Sequence, residues 1–302
     1  MADTNLYRRR RCNTIGLLIG LVLVCSMALA QKPAPPEQKR PANAFFALCI
    51  GANDAKRRTP DQQAKMLKEL GYDGMGHLWL GGVAERLKAL DARGLKLFQI
   101  YMRVSIDPKK RKYDPRLKEV LKLLKGRPTQ LALLVGGMKP SAQAGDARGV
   151  EIIREIADLA RPFGVRVALY PHAGDWLERV EDAVRVANKV DRKNAGVMFN
   201  LCHWLKVDDE KNLHRVLKLA MPKLFAVTIN GADSGLGRRG GGGRLIQPLG
   251  SGSFDVGGVL RTLKKLGYTG PIGLQCFGLK GDAREHLKQS MAAWRKLTAA
   301  LP

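Results

Sequence analysis

Residues 165–203 read VRVALYPHAGDWLERVEDAVRVANKVDRKNAGVMFNLCH. VRVALYPH is a short apolar run that ends in Tyr170 and His172. LERVEDAVRVANKV then places apolar residues at helical spacing, and AGVMFNLCH is a second apolar run, ending in Asn200 and His203. Two continuous apolar runs flanking an amphipathic helix describe a β-α-β unit, because a parallel strand is buried on both faces and needs a crossover to reach its neighbour.

The same alternation extends in both directions. FFALCIG reads as a strand, followed by a helix from Thr59 to Leu70 in which Thr59 is the N-cap and Pro60 the first helical residue. GYDGMGHLW with VAERLKALDARG, LKLFQIYMRV with PRLKEVLKLLKG, and QLALLVGG with VEIIREIADLARPFG continue it. After the quoted unit come the helix EKNLHRVLKLAM, the strand LFAVTING, and a long glycine-rich loop leading to FDVGGVLRTLKKLG. GPIGLQCFG and AREHLKQSMAAWRKL close the series. Eight strands, each followed by a helix, predict an α/β fold of the (β/α)8 TIM-barrel type, in a single domain over 45–302. The rival, a doubly wound open sheet, calls for a GxGxxG fingerprint after an early strand, and none stands there.

A barrel places function at the carboxyl ends of its strands. Tyr170, His172, Asn200, His203, Asn230 and Gln275 stand at four such ends. No aspartate or glutamate occupies a terminal strand position, so the expected site is polar and close to neutral, suited to hydroxyl-rich ligands rather than hard divalent cations. His77, Gln99, Tyr101 and Lys139 lie at or near other strand ends and join the candidates. His77 is equally well explained as a partner of a backbone carbonyl, and Tyr101 as a core aromatic with its hydroxyl at the rim. Asp175, Glu178 and Asp233 are the nearby acids; Glu178 is expected early in the fifth helix, favoured by the positive dipole end. His214 and His286 lie within helices and are expected on the outer surface. The loop 231–252 carries Arg238, Arg239 and Arg244 among many glycines, a pattern that serves either as an anion clamp or as a plain surface loop.

Outside the barrel, Arg8 to Arg11, the apolar stretch Ile15 to Ala30 and the small residues Ala28-Leu29-Ala30 have the form of a signal peptide over 1–30. KPAPPEQKRPANA marks a proline-rich linker over 31–44. The expectation is an exported protein, periplasmic or secreted, without a stable membrane span once the signal is removed; an uncleaved signal acting as an anchor is the alternative. The chain carries 52 Lys and Arg against 27 Asp and Glu, a formal charge of +25. Such a charge attracts polyanions, whether acidic polysaccharide, lipid headgroups or nucleic acid, and does not by itself identify a site. Nucleic acid is disfavoured because compact basic runs interleaved with aromatics are missing. Cys49, Cys202 and Cys276 match no zinc or redox spacing and read as buried free thiols, with a Cys49–Cys276 disulfide as the other option.

PHAG after the fifth strand, NLCH after the sixth and the segment LIQPLGSGSFDVGGVLRTLKKLGYTGPIGLQ together resemble the xylose isomerase-like TIM barrels. The resemblance runs from about Phe45 to Leu297. That family includes sugar isomerases and epimerases, inosose dehydratases and the endonuclease IV type of repair enzyme. It implies a metal site made by glutamate, aspartate, histidine and glutamate from the last four strands, and those positions here hold Tyr170, Asn200, Asn230 and Gln275. None keeps the expected ligand, so a divalent-metal cofactor is disfavoured. His172 and His203 match family histidines that touch substrate hydroxyls or phosphate, and they become the tentative catalytic pair. Arg244 aligns with a ligand-binding arginine. The resemblance implies an isomerase- or epimerase-like protein that acts on or binds a sugar or polyol, and the signal pattern adds the expectation that it is exported. A non-catalytic carbohydrate- or polyanion-binding barrel is the alternative.

Overall fold

The computed structural model describes residues 43–235 and 244–301. The expected signal peptide, nearly all of the linker, and Arg238 and Arg239 lie outside the described residues. Eight parallel strands close into a barrel in sequence order: β1 Phe45–Leu48, β2 Gly74–Leu78, β3 Lys96–Ser105, β4 Gln130–Gly136, β5 Arg166–Leu169, β6 Ala195–Asn200, β7 Leu224–Ile229 and β8 Ile272–Gln275. Closure is made by β1 on β8, with Phe45 opposite Ile272 and Leu48 opposite Gln275. The helices are α1 Pro60–Leu70, α2 Val83–Asp91, α3 Leu117–Leu123, α4 Asp146–Ala160, α5 Val180–Val190, α6 Leu201–Val207, α7 Leu213–Ala220, α8 Val256–Lys265 and α9 Ala283–Ala299.

Local chemistry sets these boundaries. Thr59 caps α1 with a reciprocal pair, its hydroxyl accepting from Gln62 N while the Gln62 side chain accepts from Thr59 N. Gly71, with φ 87°, ends that helix in the left-handed conformation. The sequence reading treated NLCH as the end of a strand, whereas only Asn200 belongs to β6. Its side-chain oxygen accepts from His203 N and starts the short helix α6.

Two apolar layers fill the molecule. Residues such as Leu131, Leu133, Val135, Val197 and Phe199 point outward and pack on the helices. Their neighbours Leu48, Tyr101, Ala132, Leu134, Ala168, Tyr170, Met198 and Ala226 fill the barrel interior. The alternation is the strand period of two, and it decides which side chains face the mouth.

Two helical expectations change. His286 is not on the outer surface. It is 9 % exposed and lies on the stripe of α9 made by Ala283, Leu287, Ser290, Met291 and Trp294, which packs inward. Burial holds its pKa below the usual value, and Asp54 and Asp282 act in the opposite direction. Glu178 precedes α5 and caps no helix; its carboxylate accepts from Gly174 N at 3.0 Å. His214 is exposed on α7, as read. Cys49, Cys202 and Cys276 are free, so the Cys49–Cys276 disulfide option is not realised.

Candidate functional site

The loop that follows β7 returns across the mouth of the barrel. Gly231 pairs with Gln247 in an antiparallel bridge, and Asn230 Nδ2 donates to Leu245 O at 2.7 Å and to Gly231 O at 2.8 Å. The PLGSG turn makes this return possible. Gly252 has φ +84°, and a Cβ there would lie 2.0 Å from Ala232 O, so only glycine fits. Asp233 binds the return as well, accepting from Arg244 N and Gln247 Nε2, both at 2.8 Å. These bonds hold its carboxyl below the usual range. The return places Leu245 and Ile246 on the wall of a cavity of 460 Å³.

Opposite that wall, the same cavity is lined by Tyr101, Tyr170, His172, His203 and Gln275, together with Leu48, Cys49, Leu78, Trp79, Arg103, Leu134, Cys202, Lys206 and Phe277. The His172 and His203 rings lie 3.9 Å apart between centroids, and Tyr170 meets both edge-on at 5.9 and 5.6 Å. His203 Nδ1 accepts from Ala173 N at 3.4 Å, which leaves the ring proton on Nε2. Burial, then the adjacent His172, Lys206 and Arg103, pull the His203 pKa down to about 3. His172 is lowered as well, chiefly by burial, against the attraction of Asp175. Its Nδ1 lies 3.3 Å from Asp175 Oδ2 but not in hydrogen-bond geometry. Asp175 is itself held by Arg103 at 2.6 Å.

The phenols and thiols of the lining stay neutral at pH 7, beside the cationic side chains of Arg103 and Lys206. Burial raises Tyr101 and Tyr170 well above the ordinary phenol value. It pushes the Cys49 and Cys202 thiols up to about 12. The mouth therefore presents hydrogen-bonding imidazoles, phenols and an amide, two cationic side chains, Arg103 and Lys206, and no thiolate nucleophile.

Other candidates lie elsewhere. Asn200 is buried beneath the cavity, where its amide donates to Tyr170 Oη at 2.8 Å and Thr228 Oγ1 at 2.7 Å. Asn230 is committed to the loop. His77 does not line the cavity; its Nε2 binds Gly81 O at 2.7 Å, the backbone-partner role. Lys139 is exposed beyond β4 and does not line the cavity. Arg244 contributes its backbone to the bridge and is not part of the lining. Tyr101 Oη donates down the barrel to Gln99 Oε1 at 2.6 Å.

The sequence reading missed Trp79, Arg103, Lys206 and Phe277. Trp79 and Phe277 are 44 % and 57 % exposed. Trp79 has φ 69° and Cys49 φ 60°, conformations that cost a bulky residue on the order of 1–3 kcal/mol and gather at functional sites.

The residues present do not fit a divalent cation. Among the described residues no group of three His, Cys, Asp or Glu side chains could hold a metal ion. At the family's ligand positions the oxygens of Tyr170, Asn200 and Gln275 already accept hydrogen bonds, the last from Phe277 N at 3.1 Å. None of the four carries a charge to offset that of the ion.

Comparison with known proteins agrees with this architecture. The model of the family described as "Xylose isomerase-like TIM barrel" matches residues 64–297. An inosose isomerase of Bacillus subtilis is 26 % identical over 131 residues, covering 42 % of this chain and 46 % of its own. A ketose 3-epimerase of Arthrobacter globiformis is 24 % identical over 165 residues, covering 54 % and 52 %. The chain thus spans about half the length of the curated relatives it matches. Among solved structures, a D-allulose 3-epimerase from Methylomonas sp. superposes with TM-score 0.66 at 16 % identity, covering 86 % of this chain and all of its own. A Mycobacterium smegmatis barrel in complex with magnesium gives 0.64 at 18 %, covering 87 % and all of its own. On the family match, which spans most of its length, the chain belongs to the xylose isomerase-like TIM barrels.

Proposed function

We propose that this protein binds a sugar or polyol ring in the mouth of its barrel and does not carry out metal-dependent proton transfer. The observation that carries this reading is the composition of the 460 Å³ cavity: neutral His172, His203 and Gln275 beside exposed aromatic rings, with no carboxylate in its lining. His203 Nε2–H and the Gln275 amide nitrogen supply donors for ring hydroxyls. Trp79 and Phe277 supply apolar faces for the C–H side of a pyranose. Similarity to an inosose isomerase and to ketose epimerases supports a polyhydroxylated ligand. Export follows from the sequence pattern of residues 1–30 and is part of the proposal.

A second reading rests on one contact. Asp175 Oδ2 lies 3.3 Å from His172 Nδ1, and a small rotation of the ring into hydrogen-bond geometry would let the carboxylate orient that imidazole as a metal-free general base. Calorimetry with a panel of ketoses, inososes and uronates, coupled to product analysis and solvent-deuterium exchange, separates the readings. Binding without turnover or exchange, weakened about tenfold or more in His203→Ala, is expected. Turnover without metal that His172→Gln abolishes would establish the second reading, and turnover that requires added Mg²⁺ or Mn²⁺ would overturn both.

A further inference from the structure

Next to the mouth lies a second, more open cavity of 990 Å³, and the two share Trp79 and Arg103. It is a groove built from the residue after β2, the end of β3, the segment 110–116 and the end of β4. Arg103, Lys110, Arg111 and Arg116 line it, against two carboxylates, Asp114 and Asp175. Both carboxylates are already engaged, Asp114 by Arg116 at 2.5 Å and Asp175 by Arg103 at 2.6 Å. Lys110 and Arg111 are exposed and form no salt bridge among the described residues, Arg111 attracting Asp114 only at longer range.

From this continuity we infer that the site takes an acidic oligosaccharide, with one ring in the mouth and the following rings laid along the groove. The inference rests on the proposed sugar-binding role of the mouth and adds a ligand class and a direction to it. Trp79 stands where the two cavities meet, so its exposed face can stack one ring of a chain passing from one to the other. Its backbone is fixed there, since Trp79 N donates to Tyr101 O at 3.0 Å. Uronate carboxylates beyond that ring meet the guanidinium and ammonium groups of the groove. Beyond Trp79 the groove holds one further aromatic, Tyr113, tied through its hydroxyl to Glu155, and this lack of a row of stacking faces favours a glycan over single-stranded nucleic acid.

The test is calorimetry on the full chain with galacturonic acid, its tetramer, the methyl-esterified tetramer and a single-stranded DNA oligonucleotide, at low and moderate salt. The acid tetramer is expected to bind about tenfold or more tightly than the monomer, with an advantage that salt and methyl esterification erase. The double variant Lys110→Glu/Arg111→Glu, at exposed unpaired positions that leave folding alone, should remove that advantage and keep the monomer affinity. Trp79→Ala should weaken both tetramers. Equal binding of acid and esterified tetramers, wild-type affinity in the double variant, or tighter binding of the DNA would each overturn the inference. Monosaccharide binding without a tetramer gain sinks the groove alone. Tetramer binding lost in the double variant, with no monosaccharide bound and no effect of His203→Ala, sinks the mouth reading and leaves a polyanion groove. No binding of any probe sinks both.

Discussion

His203 shows how one residue's burial becomes a measurable property of the protein. Its folded pKa of about 3 lies below the value of ~6.5 for an unfolded histidine, so between these limits the unfolded chain binds the extra proton. The stability it contributes is full above about pH 6.5 and is lost as pH falls toward its folded pKa. Urea unfolding between about pH 7 and about pH 4 should show a slope of up to ~1.4 kcal/mol per pH unit from this residue, which His203→Gln should remove. An unchanged slope in that variant would assign the acid sensitivity elsewhere. At this scale the sequence was only half legible. His77 had two equal readings, a site residue or a partner of a backbone carbonyl, and the second holds, since its Nε2 binds Gly81 O. Arg103 could have been found by the same period of two, because it stands two residues beyond Tyr101 on β3. Trp79 left no such trace, since its exposure comes from a left-handed backbone that hydropathy does not report.

Among the elements, helices and strands were readable because their apolar periodicity is long, and the loop after β7 was not. Its arginines and glycines fitted either a clamp or a plain surface loop, and Arg238 and Arg239 lie outside the described residues; the described part is organised by Asn230, Asp233 and Gln247, three polar side chains that bind backbone and each other. Asn230→Ala should destabilise the protein by about 1–3 kcal/mol, read as a lower urea midpoint, because it removes the side-chain donor from the part-buried Leu245 O and one of the two donors from Gly231 O. It should also weaken ligand binding, since Leu245 and Ile246 form a wall of the cavity. Gly252→Ala should be at least as damaging, through its clash with Ala232 O, and a neutral result there would show that the turn can relax. The inward place of His286 was legible in principle: it falls on the same helical stripe as Leu287, Ser290 and Trp294. Its polarity had outweighed its position.

Over the whole molecule, barrel closure followed from counting strand and helix pairs, and the surface chemistry followed from charge. A formal charge of +25 makes self-repulsion a standing cost of compactness, while most ion pairs at the surface contribute little. Moderate salt should therefore raise the thermal midpoint by about 2–4 °C in a differential scanning experiment. A fall would mean that ion pairs such as Arg127–Asp91 outweigh the net repulsion.

Closure also fixes the molecule's orientation on any support. Asn43 donates to Gly270 O at 2.8 Å, Ala44 O accepts from Ile272 N, and β1 then runs from this rim toward the mouth. The described chain thus enters at the pole opposite the ligand cavity. Capture through a tag joined directly at Asn43, in place of the residues before it, should present the cavity outward, so such a sensor surface should retain its full ligand capacity.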